Sequence, residues 1–86
     1  MKRINFATLK AVGIDGSEIK FDARMMLGNL LYMQGADIEE CELGRRIYQT
    51  AESEETELTE EEEQTIRRYV AALPYVYRQA ITESLK

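Results

Sequence analysis

The sequence predicts an α+β fold, mostly helical, in which an N-terminal β-hairpin packs on three to four short helices. Three observations carry that expectation. Two short runs rich in β-branched and aromatic residues occupy 3–21, broken by Gly13 and by the pair Asp15-Gly16. Ala23, Met26, Leu27, Leu30 and Leu31 then recur at the spacing of a helical apolar stripe. Beyond them, capping signals and a single proline, Pro74, divide the second half into further helices. The chain of 86 residues, 44% hydrophobic and 31% charged, supports one domain with a small core.

Within 3–21, Asp-Gly suits a turn that needs positive φ, and a two-residue turn there sets Val12 opposite Ile19 on one face. Ile4, Phe6, Val12, Ile19 and Phe21 are then the inward residues. A short helix through "FATLKAV" competes with the first strand, because a lone hairpin is marginal without something to pack against.

Asp22 is placed to cap a helix over 23–34 that ends at Gly35, where a left-handed residue costs glycine little. Met25, Tyr32 and Met33 widen its apolar stripe beyond one face. Gly28 costs this helix about 1 kcal/mol relative to alanine, which leaves two readings open, close approach of another backbone or drift. A second helix, 38–51, opens with Asp37 as cap and Glu40 three residues on. It carries Cys41, Gly44, Ile47, Tyr48 and Ala51 on one face, with Leu43 beside it. Glu42 precedes Arg46 by four residues, the favourable order for a helical ion pair.

"ESEETE" reads as a loop by composition. A third helix, 60–73, follows, with Thr59 and Glu62 as capping box and Glu63 placed to reach Arg67. Pro74 either kinks it or starts a fourth helix over 75–85.

The stretch 50–63 holds eight glutamates in fourteen residues. It lacks the Asp, Asn and Gly of a calcium loop, and consecutive glutamates on a helix diverge, so a capped, solvated helix start explains Glu60, Glu61, Glu62 and Glu63. Glu52, Glu54, Glu55 and Glu57 have no capping role and form a candidate acidic docking surface. Arg45-Arg46 and Arg67-Arg68 each follow acids at helical spacing, which favours internal ion pairs over a phosphate site. Tyr69, Tyr75 and Tyr77 gather around Pro74 beside Arg78, and with Met25 and Met33 they make a candidate partner interface.

Several function classes lose support at this level. There is no histidine, Cys41 is the single cysteine, and no Gly-rich phosphate loop exists, so the expectation is a non-enzyme without cofactor or metal. A net charge of −5 works against direct nucleic-acid binding. No apolar run reaches signal-peptide or membrane-spanning length, and a lone cysteine suits a reducing compartment, so a cytoplasmic chain without membrane attachment is expected.

"LGRRIYQ", an acidic loop, "ELTEEEEQTIRRYV" and "VYRQAITESL" together resemble the layout of small uncharacterised phage and prophage proteins of bacteria, over about residues 31–85. The resemblance implies a phage-derived setting and supplies no site residues. The expected function is a non-catalytic protein–protein interaction or assembly module acting as a homodimer, its protein partner otherwise unspecified. The alternative is an acidic regulator that mimics DNA, or a weak nucleic-acid binder using the arginine pairs. Mimicry requires carboxylates along one elongated face, and direct binding requires contiguous, unpaired arginines.

Overall fold

The computed structural model describes all residues, Met1–Lys86. The fold is α+β and mostly helical. In chain order it comprises β1 (Lys2–Ile4), a single 3₁₀ turn (Phe6–Thr8), β2 (Leu9–Val12), β3 (Glu18–Phe21), α1 (Arg24–Gln34), α2 (Ile38–Gln49), β4 (Thr56–Leu58), α3 (Glu60–Val70) and α4 (Tyr75–Ser84). Two separate antiparallel pairs form, β1 with β4 and β2 with β3.

The N-terminal hairpin is present and packs on the helices, but it spans 9–21 rather than 3–21, because β1 pairs with β4. The Asn5 side chain accepts the Ala7 N–H at 2.9 Å and caps the 3₁₀ turn, so the strand and helix readings of "FATLKAV" each describe part of it. The true ribbon, β2–β3, closes through three residues, 14–16, rather than two. Gly13 N–H donates to the Ser17 carbonyl at 2.8 Å, and Gly16 N–H donates to the Gly13 carbonyl at 3.0 Å. Gly16 supplies the positive φ, +84°, as a bulge residue after the turn.

That extra residue shifts the register by one, pairing Ala11 with Ile19 and Val12 with Glu18. A one-residue slip moves a side chain to the opposite face. Leu9 and Ala11 are accordingly buried, while Val12 is 63% exposed and Ile19, beyond the edge of the core, 49%. Of the five residues expected inward, Ile4 and Phe6 are buried and Phe21 is partly so.

The acidic connector also contains structure. Thr56 and Leu58 are buried and Glu57 points out, the period of a strand, and β4 runs against β1 with Ile4 opposite Thr56. Thr56 satisfies its buried hydroxyl against the Thr50 hydroxyl at 3.1 Å.

Helices α1 and α2 cross at Gly28 and Gly44. A Cβ on Gly44 would lie 2.6 Å from the Gly28 carbonyl oxygen, and one on Gly28 would lie 2.9 Å from that of Gly44. Close backbone approach is thus what Gly28 provides. Gly35 differs from expectation, since its φ of −56° is not left-handed. A side chain there would meet the Leu31 carbonyl and the Cys41 Sγ instead. Asp22 accepts the Arg24 N–H at 2.9 Å and pairs with the same residue's guanidinium. Asp37 caps α2 through the Glu40 N–H at 2.9 Å. On α2, Leu43, Gly44 and Ile47 are buried and Tyr48 is exposed, while the helix ends at Gln49, short of 51, and leaves Ala51 exposed beyond it.

The capping box at Thr59 and Glu62 is complete, with Glu62 N–H donating to Thr59 and Thr59 N–H donating to Glu62. α3 stops at Val70, short of 73. Its last carbonyls tighten to i→i+3 bonds, Tyr69 with Ala72 and Val70 with Leu73, because Pro74 disfavours helix in the residue before it. Pro74 then stands at the start of α4. Ile66 and Val70 of α3, Ile81 of α4 and Leu85 beyond it join Leu27, Leu31, Ile47 and Leu58 in one core.

Two expected helical ion pairs are replaced. Arg46 binds Glu62 at 2.8 Å, leaving Glu42 to Arg45 at 3.5 Å, and Glu63 binds Lys2 at 3.3 Å rather than Arg67. In each case a tertiary partner reaches the charged group in place of the local one.

Candidate interaction surfaces

Uncovered apolar side chains gather where α4 meets the β2–β3 ribbon. α4 packs on β2, and Ala11, Val12, Tyr75 and Val76 line one open groove between them. The Tyr77 ring meets Phe21 edge-on at 5.5 Å between centroids. Tyr75 is 63% exposed, and Val76, Tyr77, Ile14 and Ile19 are exposed as well. Arg78 lays its guanidinium 5.5 Å from the Tyr75 ring centre, which holds that ring at the start of the helix.

The tyrosines do not form the cluster around Pro74 that their spacing suggests. Tyr69 leaves the other two and seals the α1–α2 corner, its hydroxyl donating to the Glu40 carboxylate, accepting the Ala36 N–H at 3.2 Å and lying 3.1 Å from the Gln34 carbonyl. Arg68 closes the same network on Glu40. The Tyr69 hydroxyl and the Ala36 amide hold the Glu40 carboxyl below its ordinary range, and the Glu40 carboxylate in turn pushes the Tyr69 phenol up. Tyr69 is a structural tether. Met25 and Met33 are exposed near opposite ends of α1, about 12 Å apart along the axis, and do not make one patch by themselves.

The four unexplained acids divide. Glu57 sits opposite Arg3 on the β1–β4 pair, with its carboxylate 3.7 Å from the guanidinium. Glu52, Glu54 and Glu55 lie exposed in the turn before β4, where Asn5 tethers the Glu52 carbonyl at 3.0 Å. Burial raises the Glu62 carboxyl, but bonds from the Thr59 amide and Arg46 outweigh it and leave the group below its usual range.

The arginines are all engaged. Arg45 and Arg46 face Glu42 and Glu62, Arg67 donates to the Leu85 carbonyl at 3.3 Å, and Arg68 pairs with Glu40. They do not form a contiguous free basic patch. Between α2 and α3 the surface opens into a groove lined by Asp37, Glu39, Glu42 and Glu61, with Arg46 and Arg68 interleaved. No group of three His, Cys, Asp or Glu side chains is arranged to hold a metal ion, and no helix is long and apolar enough to cross a membrane.

Two features escape the sequence pattern. One is the outward turn of Val12, which the spacing of Gly13 and Gly16 around a three-residue loop signals in retrospect. The other is the open far edge of β3, which follows from β1 pairing with β4 instead of joining the ribbon.

No protein-family model, curated protein or solved structure matches this chain.

Proposed function

We propose that this chain is a non-catalytic assembly module that works by binding polypeptide, first of all a second copy of itself. The single observation that carries the proposal is the open groove between β2 and α4, in which the exposed Val12, Tyr75 and Val76 lie together. Lys10, Gln79 and Glu83 form the polar margin of that groove. Isolated exposed apolar residues are ordinary, but a contiguous set on two packed elements marks an interaction surface. The resemblance of residues 31–85 to small phage and prophage proteins favours a phage-derived setting for such a module. Direct nucleic-acid binding through the arginine pairs draws no support from a surface on which each arginine is already engaged.

The test is surface substitution without loss of fold. Tyr75→Ser with Val76→Ser removes apolar area that solvent already reaches, so helical circular dichroism stays as in the parent chain. Light scattering then shows weaker association than the parent. Equal association of the two proteins contradicts this use of the surface.

A further inference from the structure

We propose that two copies pair antiparallel through the open edge of β3, with the two-fold axis at Ile19, so that each Glu18 faces the partner's Lys20. The inference rests on the self-assembly reading above and adds to the α4–β2 groove a second, separate contact at the far edge of the ribbon.

The ribbon has two strands, and the side of β3 away from β2 carries no ladder partner. Gly13 N–H bonds the Ser17 carbonyl across the ribbon, and the register continues through Val12–Glu18 and Ala11–Ile19. Antiparallel ladders alternate bonded and non-bonded pairs, so Ala11–Ile19 and Leu9–Phe21 are the bonded ones. The N–H and C=O groups of Glu18 and Lys20 therefore point away from β2. α4 packs on β2, and Glu18, Ile19 and Lys20 are all exposed. Such an edge is a template for another strand.

Charge and pleat then select one register. An antiparallel self-pairing must set outward-pointing groups opposite outward-pointing groups, which places the axis at a residue and not between two. An axis at Glu18 sets Glu18 against the partner's Glu18, and an axis at Lys20 sets Lys20 against the partner's Lys20. Like charges directly opposite are unfavourable. An axis at Phe21 is closed, because Ala23 N–H donates to the Phe6 carbonyl and the chain turns there into α1. At Ile19, Glu18 and the partner's Lys20 exchange both backbone bonds and carry opposite charges, and symmetry repeats the pair. Ile19 meets the partner's Ile19 in the close, non-bonded position on the face that Ala11 and Phe21 share. The result is a four-stranded sheet in the order β2-β3-β3-β2.

Charge exchange tests this with the intact chain. Glu18 and Lys20 are exposed, and the Lys10–Glu18 pair within the ribbon, at 3.8 Å, is open to solvent and weak, so E18K and K20E leave the fold in place, checked by circular dichroism. Each single variant sets like charges opposite each other twice and should weaken self-association by about tenfold. An equimolar mixture of E18K and K20E restores both opposite-charge pairs and should recover parental association by sedimentation. In a C41S background, I19C should oxidise to a covalent dimer across the axis, where the expected Cα separation suits a disulfide. A parental dimer indifferent to both single variants, or a mixture that fails to recover, overturns the β3 pairing and leaves a dimer built on another surface. A parental chain that stays monomeric throughout removes self-assembly along with it.

Discussion

Gly28 and Gly44 meet across the α1–α2 crossing so closely that neither position has room for a methyl group. The conflict on each side is with the facing helix's backbone carbonyl, which cannot swing away as a side chain would. Alanine in a helix interior ordinarily gains about 1 kcal/mol over glycine. Here steric overlap reverses the sign. Gly44→Ala is expected to destabilise by about 1–3 kcal/mol, read as a lower midpoint in urea with unchanged slope. A stabilised variant would mean that the helices separate freely at this crossing.

Leu58 offers a sharp contrast within one short stretch. It is fully buried, whereas Glu54 and Glu55 stand exposed a few residues earlier. Leu58→Ala is expected to cost about 2–5 kcal/mol, and Glu54→Ala and Glu55→Ala less than about 0.5 kcal/mol each. Chemical denaturation of the three variants checks the difference, and similar small effects at all three would contradict the β1–β4 pairing.

Acid should loosen the fold through Glu40 and Glu62. Both carboxyls sit below their ordinary value of 4.5 when folded. The unfolded chain therefore binds the proton first, and the stability these groups contribute is complete above about pH 4.5 and lost as pH falls through their lower folded values. Thermal unfolding across that window should show a smaller acid-induced loss in Glu40→Gln and Glu62→Gln than in the parent. Parallel pH profiles would exclude these two groups as the source.

Much of the helical half was legible because its signals are local. Thr59 and Glu62 form the capping box that their spacing announces, Asp37 caps α2, and Pro74 separates α3 from α4. The losses came where tertiary contacts overrode local preference. Glu63 turns to Lys2 and Arg46 to Glu62, partners far away in sequence. β4 is only three residues long, too short for its alternation to stand out among glutamates. The ribbon register depended on a single loop residue, and that residue carried Val12 from the inside to the outside. For the candidate surface, composition pointed to Tyr75 and Tyr77 but grouped Tyr69 with them. Tyr69 instead finds polar partners on α1 and α2, which no helical periodicity could reveal.

Self-assembly is tested most directly by sedimentation equilibrium of the unmodified chain over a concentration series from about 10 µM to about 1 mM, which brackets association free energies of about −7 to −4 kcal/mol. The predicted result is a weight-average mass that climbs from the monomer value of 9.9 kDa toward twice that figure. A mass that stays at 9.9 kDa across the whole series would contradict it.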